Sequence, residues 1–178
     1  MVRITGGRLR GRRLDVPAGA RPTTELARKA AFDILGARVA GASVLDACAG
    51  SGAYGLEALS RGAVHATFVE KDRKIGRVLK RNIEGVGAKE QATIELRPVA
   101  SYAALAGSSI SSARFDVIFH DPPFEESSFD DLALLLPLLA PGGTLVHERG
   151  DDRVPDLPRI ALPDRRRYGR TRLLFFRL

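Results

Sequence analysis

Cysteine and histidine are scarce in this sequence. Its 178 residues include one cysteine, Cys48, and three histidines that are far apart in the chain. A single thiol excludes an internal disulfide and is typical of a reducing compartment, so we expect a cytoplasmic protein. One cysteine and three dispersed histidines also argue against a zinc site, and we expect no metal.

Long apolar runs are missing as well. No run approaches the roughly 20 residues that a membrane-spanning helix needs, and the residues after Met1 lack the apolar core of a signal peptide. We therefore do not expect a membrane protein. Its length predicts one domain with a small appendage, and we expect a monomer.

Basic charge is concentrated at the two ends of the chain. Residues 1–29 hold eight basic and two acidic residues, and residues 159–178 hold seven basic and one acidic. Residues 30–158 have the opposite balance, with thirteen basic and eighteen acidic residues. Because two basic ends flank an acidic body, the distribution indicates that the protein binds a polyanion.

The hydrophobic pattern predicts an α/β fold preceded by a small basic extension. Alternating apolar residues around Gly6-Gly7 predict a β-hairpin in residues 1–23, which is too small to be stable alone. From residue 24 to residue 178, strand and helix patterns alternate, which predicts an open, mostly parallel sheet flanked by helices. Strands are expected at 42–46, 66–69, 92–96, 115–119, 144–147, 158–162 and 173–178, and helices at 24–38, 53–61, 72–86, 102–105 and 128–139. The last two strands have no helix between them and must be antiparallel.

A glycine-rich turn in residues 44–55 joins the first strand of this sheet to its helix. Gly50, Gly52 and Gly55 have the spacing G-x-G-x-x-G, which lets a backbone approach a ligand closely but is shared by several nucleotide-binding classes. Asp46, at the carboxyl end of the strand, would repel a pyrophosphate and suits a ligand with a cationic amino acid moiety. The pattern resembles the first motif of S-adenosylmethionine-dependent methyltransferases. An ordinary helix-capping acid is the alternative.

Two further strands end in an acid at the same edge of the predicted sheet. Glu70 follows Gly52 by 18 residues, about where a Rossmann-like fold places the acid that binds ribose. Asp121-Pro122-Pro123-Phe124 follows the fourth strand. Its two prolines remove backbone donors, so carbonyl and carboxylate oxygens can converge on an amino group, which offers only hydrogen atoms. The ring of Phe124 could stack on a base, and the motif does not choose among guanine, adenine and cytosine.

Taken together, these residues resemble the bacterial small-subunit (16S) rRNA guanine-N2 methyltransferase family. The likeness extends over nearly the whole chain and includes the segments 21–24, 50–63 and 168–173. It implies a Rossmann-like class I fold, with a seven-stranded sheet and an antiparallel last strand, that uses S-adenosylmethionine. It implies cofactor-binding roles for Asp46, Ala47, Gly50, Ser51, Gly52, Glu70, Lys71 and Asp121. It also implies catalytic roles for Asp121, Pro122, Pro123 and Phe124.

The implied substrate is one guanine of 16S rRNA in the small ribosomal subunit. RNA contacts are expected from Arg3, Arg8, Arg10, Arg12, Arg21, Pro22, Thr23 and Tyr168. The implied reaction is direct in-line transfer, without a metal or a covalent intermediate. His120 is interpreted as a packed strand residue and Cys48 as a core residue. Two alternatives stay open, namely a base-amino methyltransferase acting on DNA or another RNA, and a non-catalytic RNA-binding assembly factor.

Overall fold

Two β-sheets make up the strand content of the structure, which is a computed structural model describing residues 2–17, 25–108, 114–123, 129–155, 157 and 163–178. The small sheet contains β1 (Val2–Arg3) and β2 (Arg13–Leu14). The large sheet contains seven strands in the order β5-β4-β3-β6-β7-β9-β8. These are β3 (Ser43–Asp46), β4 (His65–Val69), β5 (Ala92–Glu95), β6 (Phe115–His120), β7 (Leu139–Arg149), β8 (Asp164–Tyr168) and β9 (Thr171–Arg177).

Helices cover both faces of the large sheet. They are α1 (Glu25–Leu35), α2 (Ala53–Ser60), α3 (Arg73–Gly85), α4 (Val99–Ser108) and α5 (Asp130–Leu135), with short 3-10 turns at Gly36–Val39, Lys89–Gln91 and Leu136–Leu138. Apolar residues of α1, α2 and α3, such as Phe32, Leu56 and Leu79, share one buried cluster with one face of the sheet. Those of α4 and α5, such as Ala103 and Leu132, form a second cluster on the other face. None of these described helices is long and apolar enough to cross a membrane.

Strand directions confirm the predicted fold class. The five strands β5, β4, β3, β6 and β7 pair in parallel, whereas β9 runs antiparallel to β7 and to β8. Since the carboxyl ends of parallel strands meet at one edge, the residues that follow β3, β4 and β6 come together there. This edge positions the candidate site.

Two strand predictions near the C-terminus were wrong in their limits. Strand β7 begins at Leu139, before the predicted start at residue 144, so Pro141-Gly142-Gly143 lies within the strand as an irregularity. The glycines are needed there because Gly142 has a φ of 76° and a Cβ on Gly143 would lie 2.8 Å from the Ala140 carbonyl oxygen. The run Arg165–Tyr168, which lies between the predicted strands at 158–162 and 173–178, belongs to β8. The predicted strand at 158–162 lies outside the described residues.

The N-terminal hairpin is held against the large sheet's helices. Its paired strands are only two residues long, with Val2 opposite Leu14, and its apolar residues join the same buried cluster as α1 and α2. Ser60 lies at the end of α2, and its backbone carbonyl accepts a hydrogen bond from the Arg8 amide at 2.8 Å. Its hydroxyl donates a hydrogen bond to the Gly6 carbonyl at 2.6 Å. A Cβ on Gly7 would collide with the Ser60 carbonyl. The Gly6-Gly7 pair is therefore a point of close packing in the connection between the two strands, where the Gly7 carbonyl also accepts the Arg10 amide at 3.2 Å.

Candidate active site

The glycine loop after β3 has one open side and one packed side. Gly50 and Gly52 adopt φ values of 54° and 81°, which favour glycine. A Cβ on Gly52 would lie 2.6 Å from a methyl of Leu79, and one on Gly55 would collide with the Phe68 ring. A Cβ on Gly50, in contrast, would meet nothing within 4 Å. Gly52 and Gly55 thus serve packing, while the backbone around Gly50 is accessible to a ligand.

Asp46 is buried beneath this loop. Its side chain is 2% exposed, and its Oδ2 accepts a hydrogen bond from the Gly55 amide at 2.9 Å. Burial raises its pKa from the ordinary 3.8 to about 8, and the carboxylates of Asp121 and Glu70 act in the same direction, while the Gly55 hydrogen bond lowers it. Asp46 therefore accepts a hydrogen bond from the first turn of α2, and it also lies near the other acids of this edge.

Glu70 fastens the glycine loop to the end of β4. Its Oε2 accepts the Gly50 amide at 3.0 Å, and its Oε1 accepts the Asp72 amide at 2.9 Å. The Ser51 carbonyl is held by the Asn82 side-chain amide at 2.8 Å. Each carboxylate oxygen has lone pairs left for a ligand that enters beside Gly50. The exposed Lys71 follows at the start of the next loop.

Asp121-Pro122-Pro123 follows β6 at the same edge. Asp121 is partly exposed, Pro122 is buried and Pro123 is exposed. Burial is the main cause that raises the pKa of Asp46, Tyr54 and Glu148, and the charge of Asp121 acts in the same direction on all three. Beneath it, the Phe119 carbonyl accepts the Ala47 amide at 2.8 Å and ties β6 to the start of the glycine loop. Phe124 lies outside the described residues.

A pair of residues that sequence reasoning missed lies beside Asp121. The Tyr54 hydroxyl donates a hydrogen bond to Glu148 Oε2 at 2.6 Å, and both side chains are buried. The Tyr54 ring stacks on Phe119 with centroids 4.6 Å apart. Glu148 directly follows the predicted strand at 144–147, so the pattern that identified the other strand-end acids applied to it equally. The contact with Tyr54, 94 residues away in the sequence, carries no local signal.

The two histidines of β6 and β7 pack together, as expected for His120. Their Nδ1 atoms are 3.1 Å apart, and the rings stack with centroids 5.0 Å apart. Burial, with the neighbouring His120 ring and Arg149 guanidinium, lowers the pKa of His147 to about 3, so the His147 ring is neutral at physiological pH. Burial also raises the pKa of the Cys48 thiol. Neither property suits a general base or a thiolate nucleophile.

The predicted RNA-contacting residues do not all lie together. Arg3, Arg8, Arg10 and Arg12 are exposed on the extension, where the Arg8 side chain donates to Gln91 before β5. Tyr168 is half-buried at the end of β8, the edge strand at the other end of the sheet from β5. Arg21, Pro22 and Thr23 lie outside the described residues. In the part of the chain that the structure describes, no group of three His, Cys, Asp or Glu side chains could hold a metal ion.

The sheet order and the strand-end site define the fold of class I S-adenosylmethionine-dependent methyltransferases. A solved structure of a putative methyltransferase from Escherichia coli, YhhF, has a TM-score of 0.86 and 33% identity, covering 99% of this chain and 97% of that one. The chain belongs to the family described as conserved hypothetical protein 95, whose model matches residues 2–177.

Two curated relatives carry more specific names. The chain is 38% identical over 137 residues to ribosomal RNA small subunit methyltransferase D of Escherichia coli K12, a match that covers 76% of this chain and 66% of that relative, about two thirds of its length. It is 31% identical over 185 residues to the putative rRNA methyltransferase YlbH of Bacillus subtilis, covering 99% of this chain and 98% of that one.

Proposed function

We propose that this protein transfers a methyl group from S-adenosylmethionine to the exocyclic N2 of one guanine in 16S rRNA, in the cytoplasm and with the assembled small subunit as substrate. The observation that carries the proposal is the position of Asp121-Pro122-Pro123, on the same sheet edge as the Gly50 loop and Glu70. The names of the two curated relatives support the choice of rRNA.

The residues of the glycine loop fit the proposed cofactor. The open backbone at Gly50 admits a ligand, and the fixed Glu70 carboxylate can accept hydrogen bonds from ribose hydroxyls. The other residues that we propose to contact the cofactor are Asp46, Ala47, Ser51, Gly52, Lys71 and Asp121. The acids of this edge suit a ligand with positive charge. When bound, S-adenosylmethionine supplies an activated methyl group on a sulfonium sulfur.

The proposed work of the Asp-Pro-Pro segment is to hold the target amino group. Its nitrogen is a weak nucleophile because the lone pair is delocalised into the ring. Acceptance of both amino protons, by the Asp121 carboxylate and the Pro122 carbonyl, favours a more pyramidal nitrogen directed at the methyl group. Positioning then provides most of the rate. Pro123 continues the donor-free path, and Phe124 is proposed to stack on the base, which must leave its own stack.

The basic extension in residues 1–23 is proposed to dock on RNA phosphates, while residues 24–178 form the methyltransferase domain. The arginine side chains at positions 3, 8, 10 and 12 are exposed, and none belongs to the buried core. Exposed guanidinium groups bind phosphate oxygens well. The proposed RNA contacts also include Arg21, Pro22, Thr23 and Tyr168.

The direct test is transfer of an isotope-labelled methyl group by the purified full chain. Small-subunit particles lacking the modification, free 16S rRNA and DNA are offered separately, and the labelled nucleoside is identified after digestion. The proposal predicts N2-methylguanosine from the particles. A labelled adenine nucleoside would support the alternative base-amino methyltransferase. Binding of S-adenosylmethionine without transfer to any substrate would support the assembly-factor alternative.

A further inference from the structure

We propose that Glu148, held by Tyr54, is a further acidic residue of the methyl-transfer site and makes that site prefer the positively charged cofactor to its uncharged thioether product. The proposal rests on the proposed use of S-adenosylmethionine. It adds a specificity-determining role for two residues that the proposed reaction does not otherwise use.

The position of Glu148 is fixed by the sheet. His147 pairs with His120 across β6 and β7, so the next residues of the two strands, Asp121 and Glu148, are neighbours at the carboxyl edge. The Glu148 side chain is 4% exposed and accepts the Tyr54 hydroxyl at 2.6 Å. Thr171 on β9 also hydrogen-bonds to it. Because Tyr54 is itself stacked on Phe119, the carboxylate has little freedom to turn away from the site.

The surroundings of Glu148 are unfavourable for a second negative charge beside that of Asp121. Burial raises its pKa to about 8, and the Asp121 carboxylate adds to the increase. Tyr54 on α2, Thr171 on β9 and the Arg28 guanidinium on α1 act in the opposite direction. Arg28 is 0% exposed, and its Nε lies 3.6 Å from the buried Glu57 carboxylate. Burial and the Asp121 charge therefore favour the protonated form of Glu148 in the free protein, whereas a nearby positive charge would favour the ionised form.

The cofactor and its product differ in the charge on their sulfur atom, to which the Asp121 and Glu148 carboxylates respond. The cofactor carries a sulfonium, whereas the product left after methyl transfer is a neutral thioether. A sulfonium near Asp121 favours the ionised form of Glu148, so cofactor binding should release a proton and gain affinity from it. The product lacks this charge and should leave more readily.

The test is calorimetric titration of the full chain with S-adenosylmethionine and with S-adenosylhomocysteine. Each titration is repeated between pH 6.5 and 8.5 in buffers with different ionisation enthalpies, which gives the number of protons released. The wild-type protein should release more protons with the cofactor than with the product. In Glu148→Gln this difference should become smaller, and the part that remains is due to Asp46, which titrates in the same window. The ratio of product Kd to cofactor Kd should fall about threefold to tenfold, the scale of one charge pair about 4 Å apart in a water-like dielectric.

Two variants sharpen the result. Tyr54→Phe keeps the charge but removes a hydrogen bond that lowers the pKa of Glu148, so the difference in proton release should move to higher pH. Glu84→Gln changes an exposed acid of α3 and should behave as wild type. Equal proton release for both ligands in the wild-type protein would overturn the proposal even if Glu148→Gln failed to fold. An absence of cofactor binding would instead overturn the proposed function together with this inference.

Discussion

The acids at the carboxyl edge of the sheet have different structural roles, although each ends a strand. Glu70 accepts two backbone amides and fixes the glycine loop, whereas the buried Asp46 accepts one amide from the first turn of α2. Asp121 is partly exposed and is followed by two prolines. Of the three, it is the one that we propose to touch the target base. Substitutions at these three positions should therefore impair different properties of the protein.

Replacement of Asp121 tests the proposed acceptor for the amino group. Asp121→Ala should lower the transfer rate at least about a hundredfold, the scale of a misplaced reactant. Asp121→Asn keeps an acceptor oxygen but loses the charge, so its rate should lie between those of Asp121→Ala and wild type. Single-turnover rates with saturating cofactor, on protein with a wild-type circular dichroism spectrum, measure the effect. Near-normal turnover of Asp121→Ala would remove this residue from the reaction.

The raised pKa of Asp46 predicts that the stability of the protein depends on pH. Its folded-state pKa of about 8 lies above the ordinary 3.8, so the fold prefers the protonated form. Its contribution to the free energy of unfolding is largest below about pH 4. It declines as pH rises towards about 8, by at most about 1.4 kcal/mol per pH unit. Asp46→Asn can still accept the Gly55 amide but does not titrate.

The free energy of unfolding of the ligand-free protein should therefore fall less steeply between pH 5 and pH 8 in Asp46→Asn than in wild type. Urea unfolding at four pH values checks this. Some decline should stay in the variant, because Glu148 titrates in the same window. Identical slopes in the two proteins would show that Asp46 is not held in its protonated form.

At the scale of elements, local patterns predicted most of the fold. Short apolar runs that end in an acid marked β3, β4 and β6, and the glycine spacing marked the turn into α2. The limits of β7 and β8 were missed for different reasons. Pro141-Gly142-Gly143 has turn composition but is accommodated as an irregularity beside Phe115. The polar run of β8, with three consecutive arginines, has no apolar alternation and is a strand only because β9 pairs with it.

The candidate site was predicted only as far as its residues are adjacent in the sequence or end a strand. Its supporting contacts come from distant parts of the chain. Glu57, for example, accepts both the amide and the hydroxyl of Thr5 at 2.7 Å, and Arg28 lies 3.6 Å from it. This buried group links α1, α2 and the extension. No periodic pattern distinguishes a buried Glu57 or Arg28 from an exposed helical residue of the same type.

Helix α2 offers a matched test of the packing argument. Gly55 lies against the Phe68 ring, so Gly55→Ala should destabilise the protein by about 1–3 kcal/mol through overpacking. Gly85, at the end of α3, has open space at the Cβ position. Gly85→Ala should therefore be neutral or stabilising by at most about 1 kcal/mol. Denaturant midpoints with unchanged m-values measure both variants. Equal stability of the two would contradict the close packing of α2 on β4.

At the scale of the whole molecule, basic charge lies on two separate surfaces. The extension carries exposed arginines beside α2 and α3, and β8 carries exposed arginines at the far sheet edge. On β8 part of the charge is neutralised locally, since Arg166 pairs with Asp164, and Arg172 of the neighbouring β9 pairs with Asp152. The arginines of the extension are thus the better candidates for RNA phosphates.

A pair of triple variants with equal charge changes compares the two surfaces. Replacement of Arg8, Arg10 and Arg12 by alanine should flatten the slope of log affinity against log salt by roughly two to three units for RNA, if each binds one phosphate. The control replaces Arg165, Arg166 and Arg167 and should change the slope less. Binding is measured on free 16S rRNA and on subunit particles, with cofactor affinity unchanged in both variants. An unaltered slope in the first variant would show that the extension does not contact RNA and would leave the C-terminal arginines as the remaining candidates.

The most direct test of the whole account is to map base methylation in the 16S rRNA of cells that lack and then regain this protein. Mass spectrometry of rRNA fragments should show the loss of one N2-methylguanosine on deletion. The wild-type chain should restore it, and Asp121→Ala should not. Loss of a methyl group from adenine, or unchanged methylation of 16S rRNA, would contradict the proposed reaction.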